Sequence, residues 1–497
     1  MVLATEQAQT SRDPQWLPAV RRPAIEFPLT PLTVTAGAIP ENLQGTLYRN
    51  GPGRMVRSGQ PTGHWFDGDG EVLAVHFGRS PDQPQGPPQA RATYRMVQTA
   101  AYEQEEAADR WLFANYGQLA PKPWWQRVGR DLKNAANTSV LPWGDRLLAL
   151  WEGGWPHALD LDNLTTIGPD SLDGVLKPGQ AFSAHPKVDP VTGEIYNFGA
   201  LPGPRPKLNL LRFDRAGRLL VQRQLPLPSL SLIHDCALAG PYLVFCIPPL
   251  SLELLPALLN FKCFSDAMKW QGDRPTQVWF VDRETLTLAA TIEAEPWFQW
   301  HFGNGWQNPD RSISLTLARY PDFATNQHLK EVASGKITTL ATSQYVELRF
   351  DLQRRQLLDQ RILFDRHSDF PTVAPSEVGS PSRYSYFSAH RPDLDRPETF
   401  KQEQFGTIAR HDAQTDRITY ASLESGCYPS EPLFAADPTG DGRSGWILSV
   451  VYDGNRDCSD LRIWQSDRLD DAPIARLALP QPINLGFHGV WHPKSTS

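Results

Sequence analysis

The alternation of apolar and polar positions predicts a chain built mainly from short β-strands. One unit recurs: an apolar strand, a turn that carries an aspartate, and a second apolar strand. Six copies are visible, with turn aspartates about 50 to 70 residues apart, at Asp162, Asp214, Asp282, Asp351, Asp412 and Asp467. A strand unit repeated at this spacing is typical of an all-β fold, the β-propeller. The strands near residues 46–77 offer a seventh unit.

This pattern divides the chain into two parts. Residues 1–22 are polar and predict a flexible N-terminal tail. Residues 23–497 predict a single propeller domain. One insertion near 248–270 breaks the strand pattern, because residues 248–261 are strongly apolar where a polar loop is expected. That segment is too short to span a bilayer, and two interpretations stay open: a helix packed on the body, or a surface that enters one membrane leaflet.

Composition narrows the function classes. The chain has 497 residues, a net charge of -7 and a pI near 6.0, which argues against a nucleic-acid partner. Its 45 prolines and 36 glycines favour a turn-rich β fold. The 5 cysteines form no C-x-x-C pair, and their odd number indicates a reducing compartment, so we expect a cytoplasmic protein.

Four histidines lie in apolar or turn settings far apart in sequence. They are His185, His234, His301 and His488. A buried imidazole without a hydrogen-bond partner costs roughly 1–3 kcal/mol, so four of them favour a shared solution. The inner strands of a propeller project side chains onto one axis, and a metal ion there would satisfy all four. Each histidine taken alone is better explained as an ordinary core residue.

Three carboxylates lie in sequence surroundings that suit a hydrogen bond to such a histidine. Metal-ligating histidines usually donate their second ring N–H to a carboxylate, which fixes the tautomer and adds charge. Glu152, Asp369 and Glu431 each lie among apolar residues or next to proline. A zinc ion with four protein ligands would be structural, whereas iron(II) accepts further ligands and binds dioxygen.

Several segments together resemble the carotenoid cleavage oxygenase family. The match extends from about Pro40 to the C-terminus. Its carriers are Leu43–Pro52, Phe66–Gly70, Asn137-Thr138, Trp151–Gly154, Ser183–Pro186, Ile233–Asp235, His301 with Asn304, Ser430–Pro432 and His488-Gly489. The resemblance implies a seven-bladed β-propeller with helical and loop insertions forming a cap over a metal face.

The resemblance also implies an iron(II) centre. It assigns His185, His234, His301 and His488 as metal ligands, and Glu152, Asp369 and Glu431 as the carboxylates behind His234, His301 and His488. The usual residue at the middle position is glutamate, and Asp369 is one methylene shorter, a loss of roughly 1.5 Å of reach. Either the strand moves inward or a water bridges Asp369 to His301.

The activity implied by the resemblance is insertion of dioxygen across a conjugated double bond. The expected substrate is a lipophilic apocarotenoid, cut at its central 15,15' bond to give retinal-type aldehydes. Phe66, Trp151, Trp300 and Phe370 are candidates to line an aromatic tunnel that positions the polyene by shape. Peripheral contact of the 248–261 segment with a membrane would give access to such a substrate.

Two alternatives stay open. One branch of the family cleaves stilbene-type olefins and holds the phenol with a tyrosine and a lysine; Lys133, just before Asn137-Thr138, keeps this possible. The other alternative is a non-catalytic, carotenoid-binding propeller in which the metal only braces the axis.

Overall fold

The computed structural model describes residues 13–79, 83, 85–127, 132–253, 256, 259, 261–394 and 402–494. Seven antiparallel sheets of four to six strands form the blades of a β-propeller, which confirms the predicted fold. Two further two-stranded sheets pair Val56–Arg57 with Gln60–Pro61 and Leu250–Leu252 with Met268–Trp270.

We number the blades 1 to 7 around the ring and give their strands from the axis outward. Blade 1 contains Gly489–Pro493, Gly45–Arg54, Asp69–Gly78, Gln89–Met96 and Phe27–Pro31; blade 2 contains Ser139–Trp143, Arg146–Leu150, His157–Asp160 and Thr166–Pro169; blade 3 contains Lys187–Val188, Ile195–Leu201, Lys207–Phe213 and Leu219–Pro226; blade 4 contains Ala237–Ala239, Tyr242–Ile247, Thr276–Asp282 and Leu288–Ala294. Blade 5 contains Phe298–Gln307, Ile313–Tyr320, Gln344–Asp351 and Gln356–Phe364; blade 6 contains Ser368–Thr372, Tyr384–Ala389, Thr407–Asp412 and Arg417–Tyr420; blade 7 contains Cys427–Pro429 and Leu433–Ala436, which both pair with Gly445–Asp453, then Cys458–Gln465, Ala475–Ala478 and Thr33–Gly37.

The ring closes by joining the two ends of the chain. In blade 1 the C-terminal strand pairs antiparallel with an N-terminal one, with Leu47 opposite Trp491 and Arg49 opposite Gly489. In blade 7 the N-terminal strand Thr33–Gly37 forms the outer edge. The prediction that N-terminal strands near residues 46–77 supply the seventh unit is confirmed.

Strand alternation and turn chemistry explain the blades locally. In Gln344–Asp351 every second side chain, from Val346 through Leu348 to Phe350, is fully buried and packs between sheets. Four of the six predicted turn aspartates accept backbone N–H groups of their turns: Asp214, Asp282, Asp351 and Asp412. In blade 2 the acceptor is Asp160 instead of the predicted Asp162.

The helices of the described residues are few and lie outside the blades. They are α1 (Pro18–Arg21), α2 (Ala100–Ala108), α3 (Phe264–Ala267) and α4 (Ala324–Ser334), with 3₁₀ turns at Trp65–Asp67, Trp124–Gln126 and Pro375–Glu377. Among the residues that the structure describes, no helix has the length and apolar character needed to cross a membrane.

The prediction of a flexible tail is wrong for residues 13–22. Trp16 and Val20 are buried in an apolar cluster that includes Tyr452 and Val332, and the Trp16 indole N–H donates to the carbonyl of Gln402 at 2.9 Å. The polar composition of this stretch concealed a few large apolar side chains that anchor it. Residues 1–12 lie outside the described part of the chain.

The apolar insertion is only partly described. Leu250–Leu252 forms a strand, and Leu250 is buried. Leu254, Leu255, Ala257, Leu258 and Asn260 lie outside the described residues, so the two interpretations of this segment remain predictions.

Candidate metal centre

Four innermost strands place the four predicted histidines at the axis. His185, His234 and His488 come one to three residues before the inner strands of blades 3, 4 and 1, and His301 lies within that of blade 5. Because each inner strand starts next to the axis, four sequence-distant imidazoles meet there. All four are buried, and one nitrogen from each lies within 4.8 Å of the others.

The imidazoles face one another through their ring nitrogens. His234 Nε2 lies 3.0 Å from His185 Nε2 and 3.3 Å from His301 Nε2. The ring of His488 lies 4.6 Å from both the His185 and the His301 rings, centroid to centroid. Within the described residues, this is the one group of three or more histidine, cysteine, aspartate or glutamate side chains with the convergence a metal ion requires.

Each of three histidines has a carboxylate at its outer nitrogen, in the order the resemblance implies. Glu152 Oε1 contacts His234 Nδ1, and Glu431 Oε1 lies 2.9 Å from His488 Nδ1. Glu431 Oε2 also accepts the backbone N–H of Gly489 at 2.8 Å, which fixes the carboxylate against the strand it supports.

The third carboxylate, Asp369, reaches its histidine directly in spite of its shorter side chain. Asp369 Oδ1 lies 2.7 Å from His301 Nδ1, so the structure needs no bridging water. The backbone supplies the missing reach, because the pairing of blade 6 is bulged between Asp369 and Thr372 and Phe370 has a φ of 55°. Tyr320 Oη donates to Asp369 Oδ2 at 2.7 Å and holds the carboxylate in place.

His185 is supported differently. Its Nδ1 lies 3.9 Å from Asp235 Oδ1, beyond hydrogen-bond distance. Asp235 instead accepts from Lys187 Nζ at 2.8 Å and from the backbone N–H groups of Cys236 and Phe302. Asp235 thus ties blades 3, 4 and 5 together behind the histidines. Sequence reasoning missed Asp235 and Tyr320, although Asp235 directly follows His234.

Burial keeps His185 and His301 in the neutral form that binds metals. Desolvation, reinforced by the neighbouring histidines, pushes the pKa of both His185 and His301 well below the ordinary 6.5, so both are neutral at pH 7. Burial also raises the pKa of Asp369 to about 7, against the hydrogen bond from Tyr320, which lowers it. A cation bound by the imidazoles would lower that pKa again.

The donor set fits a metal ion. Carboxylates at Nδ1 of His234, His301 and His488 fix the ring protons on that side, so the Nε2 lone pairs point at one another. The lone pairs of His234 and His301, which face each other at 3.3 Å, are repulsive without a cation between them. Four imidazole nitrogens suit zinc, copper, iron or nickel.

A cavity of about 330 Å³ opens onto this centre. His234, His301 and His488 line it, as do the four aromatic residues predicted for a tunnel: Phe66, Trp151, Trp300 and Phe370. The ring of Phe370 stacks on His301 at 5.0 Å, and that of Trp300 meets His234 edge-on at 4.9 Å. The walls next to the imidazoles are therefore aromatic.

Residues 20–493 match the family model described as retinal pigment epithelial membrane protein. The chain belongs to the carotenoid cleavage oxygenase family. It is 32% identical to the apocarotenoid-15,15'-oxygenase of Synechocystis sp. over 92% of this chain and 91% of that one. It is 25% identical to resveratrol cleavage oxygenase 1 of Aspergillus fumigatus, over 92% of this chain and 91% of that one.

Solved structures agree with this membership. The crystal structure of a cobalt-substituted Synechocystis ACO superimposes with a TM-score of 0.86 at 30% identity, covering 97% of this chain and 98% of that one. As a member of the carotenoid cleavage oxygenase family, the chain is an oxygenase of a metal-dependent class, and its four buried histidines can bind the metal.

Proposed function

We propose that the chain is an iron(II)-dependent dioxygenase that cleaves an apocarotenoid at its central 15,15' bond to give retinal-type aldehydes. The observation that carries this proposal is the convergence of four buried imidazoles beside a largely apolar cavity. The likeness to the Synechocystis apocarotenoid-15,15'-oxygenase supports the substrate class.

In this proposal His185, His234, His301 and His488 hold the iron, which supplies the redox chemistry that activates dioxygen. Glu152, Asp369 and Glu431 hold the protons on Nδ1 of their histidines, so that the inner nitrogens stay free as ligands.

The cavity walls position the substrate. A polyene carries no charge, so shape and apolar contact must orient it. Phe66 packs edge-on against both Trp300 and Phe487, at 5.3 Å each, which makes a rigid aromatic wall beside the imidazoles. We expect this wall to hold one double bond of the polyene at the metal and to exclude water from it.

The test is aerobic incubation of the iron-loaded protein with a panel of apocarotenals, with product masses read directly. We expect two carbonyl products per substrate, each containing one atom of labelled dioxygen. Activity that survives chelation and dialysis would contradict the proposal. Bound pigment without any product would instead favour the non-catalytic, carotenoid-binding alternative.

The structure gives no support to the stilbene alternative. Lys133 Nζ is buried and forms ion pairs with Asp69 at 2.6 Å and Glu105 at 2.7 Å. It is not among the described residues that line the cavity. We therefore expect faster turnover of a polyene aldehyde than of a hydroxystilbene when the two are compared side by side.

We also propose that the 248–270 insertion contacts a membrane surface peripherally. Two apolar side chains of its described part are exposed, Leu259 at 38% and Phe261 at 55%, and the nearby Phe264 lines the cavity. Substrate could then pass from lipid into the cavity. Liposome flotation should weaken in Leu259→Asp and Phe261→Asp but not in Val191→Asp, a control on a distant turn that is 91% exposed. Unchanged flotation in both insertion variants would refute contact at this site.

A further inference from the structure

One end of the cavity is polar, and nothing in the proposed chemistry uses it. Three further histidines, His328, His367 and His390, line the cavity, with ring centroids 4.8 Å (His390) and 6.4 Å (His328) from that of His367. Glu403 and Gln404 also line it and directly precede Phe405, whose ring lies 5.0 Å from His367. The part of the cavity lined from blade 3 is instead small and apolar, with Ala181, Phe198, Gly199, Ala200 and Pro202. A symmetric hydrocarbon would make no hydrogen bond at the polar part, so the difference between the two parts favours a ligand with one polar end.

Aromatic contacts place the polar end beside the metal centre. Phe370, which stacks on His301, lies 6.2 Å from Phe405, and the Phe405 ring lies 5.0 Å from His367 and 5.7 Å from His390. The polar groups are thus separated from the axial imidazoles by two phenylalanine rings. A rod-shaped ligand with one bond at the metal can extend past these rings to reach them.

His367 offers a hydrogen-bond donor to the cavity. The backbone N–H of Ser343 donates to His367 Nδ1 at 3.1 Å, so in the neutral ring the proton lies on Nε2. Burial, helped by His390 and His328, keeps the pKa of His367 well below 6.5 and the ring neutral. No hydrogen bond joins Nε2 to another described residue.

Gln404 offers a second donor. Its Nε2 is buried and has no hydrogen-bond partner among the described residues. A buried donor left unpaired costs roughly 1–3 kcal/mol, so a ligand acceptor at this position would be favoured. His328 is turned the other way, since its Nδ1 lies 3.0 Å from the carbonyl of Thr339 and donates to it.

We propose that His367 and Gln404 form a subsite that binds an oxygen-bearing end group, a carbonyl or hydroxyl, of the polyene substrate. This inference rests on the proposed function for the identity of the rod, but the donors and their place in the cavity do not depend on it. A terminal oxygen accepted at this end would fix which double bond lies at the metal, because a rigid rod anchored at one end cannot slide.

The test measures binding of the iron-loaded protein under argon, so that no turnover occurs. The probes are an apocarotenal and the hydrocarbon of the same chain with a methyl group in place of the aldehyde. Quenching of tryptophan fluorescence reports the dissociation constants, since Trp151 and Trp300 line the cavity. The quantity compared is the ratio of the two constants in each variant, because aldehyde and hydrocarbon also differ in water.

In Gln404→Leu and His367→Phe we expect the preference for the aldehyde to fall by about five- to tenfold, the effect of one lost hydrogen bond to a buried acceptor. Binding of the hydrocarbon should stay unchanged. Gln404→Leu is the cleaner variant, because the Gln404 amide nitrogen has no hydrogen-bond partner among the described residues, whereas His367→Phe also removes the acceptor for Ser343. Gln402→Leu, an exposed glutamine two residues away, is the matched control.

The two proposals fail separately. An aldehyde preference that is equal in the unchanged chain, Gln404→Leu and His367→Phe overturns the subsite, even if the enzyme cleaves polyenes. A preference that depends on these residues, in a protein that cleaves no polyene, overturns the dioxygenase proposal and leaves the subsite in place.

Discussion

Two clusters of buried histidines border one cavity in the described part of the chain, and they differ in nearly everything except burial. The axial cluster comprises His185, His234, His301 and His488, and the lateral cluster comprises His328, His367 and His390. Burial lowers the pKa of every lateral histidine, as it does for His185 and His301. Neutral, buried imidazoles alone therefore do not define a metal site.

The difference lies in convergence and support. In the axial cluster ring nitrogens approach to 3.0 and 3.3 Å, and carboxylates stand behind three of the rings. In the lateral cluster, which belongs to the described part of the chain, the ring nitrogens do not converge in this way. His367 Nδ1 instead accepts from the backbone N–H of Ser343, and His328 Nδ1 donates to the carbonyl of Thr339. The close approach of the ring nitrogens and the carboxylates behind the rings, rather than burial, therefore distinguish the axial cluster.

The largest expected effect comes from removing one axial ligand. We expect His301→Ala to lose nearly all bound iron and all cleavage activity, because three imidazoles remain and Asp369 is left without its histidine. His328→Gln should keep its metal, since that ring belongs to the lateral cluster. Metal content by atomic emission after gel filtration measures both. Equal iron content in His301→Ala and His328→Gln would contradict the assignment of the metal to the axial cluster.

Removing the charge behind an axial ring should have a smaller effect. Asp369→Asn keeps the size of the side chain but no longer supplies the negative charge that His301 Nδ1–H faces. We expect metal affinity or activity to fall about 10- to 100-fold, the usual cost of losing such a partner. Asp282→Asn, at an exposed turn of blade 4, should leave both unchanged. Competitive titration against a chelator gives the affinity, and no loss in Asp369→Asn would show that the carboxylate is dispensable.

The fold and the axial cluster could be predicted from the sequence because the fold produces a repeated strand–turn pattern and the cluster lies in recognisable family motifs. Turn aspartates such as Asp214 and Asp351 recur with the blades, and the family motifs placed His185 through His488 and the three carboxylates at positions the structure brings together.

The lateral cluster could not be predicted, because no repeat or motif marks it. His328 lies on helix α4, His367 just before the inner strand of blade 6 and His390 just after the next strand, and only tertiary packing brings them to one cavity. The direct contact between Asp369 and His301 could not be predicted from the sequence either, because it depends on the bulge and on the positive φ of Phe370. Trp16 was missed because two buried side chains hardly change the composition of a polar stretch.

We expect the lateral cluster to contribute to the pH dependence of the free energy of unfolding. Burial, with smaller contributions from His328 and Arg366, lowers the pKa of His390 to about 3. Between pH 6.5 and 3 the unfolded chain binds a proton at this histidine and the folded chain does not. The free energy of unfolding therefore decreases as the pH falls below 6.5. From pH 7 to pH 5 that loss is about 2 kcal/mol for one such group.

His390→Phe should remove this contribution. Between pH 7 and pH 5, the free energy of unfolding measured in urea should therefore fall by about 2 kcal/mol less in the variant than in the unchanged chain. Parallel losses in both proteins would mean that His390 takes up its proton in the folded state. Gln356→Phe, at an exposed position of the outer strand of blade 5, removes no titratable group and controls for the added aromatic ring.

The smallest effect is expected at Tyr320, the residue that lies between the clusters. Its hydroxyl donates to Asp369 Oδ2 at 2.7 Å, and its ring lies 5.9 Å from His367. Burial and the nearby Asp369 raise the pKa of Tyr320 well above 10, so it remains a donor across the working range. Tyr320→Phe keeps the ring contact and removes the hydrogen bond, which should weaken metal binding about fivefold, or ~1 kcal/mol.

Tyr48→Phe provides the matched control for Tyr320→Phe. The Tyr48 hydroxyl donates to the carbonyl of Leu161 at 2.8 Å, so this variant also loses one hydrogen bond of a buried tyrosine, but one that does not reach a carboxylate of the metal centre. Its metal affinity should not change. If Tyr320→Phe binds metal as Tyr48→Phe does, the backbone N–H of Phe370 and the His301 ring alone orient Asp369. The bulge in blade 6 would then be the whole compensation for the shorter carboxylate, and Asp369→Glu should lose affinity because the longer side chain no longer fits that backbone.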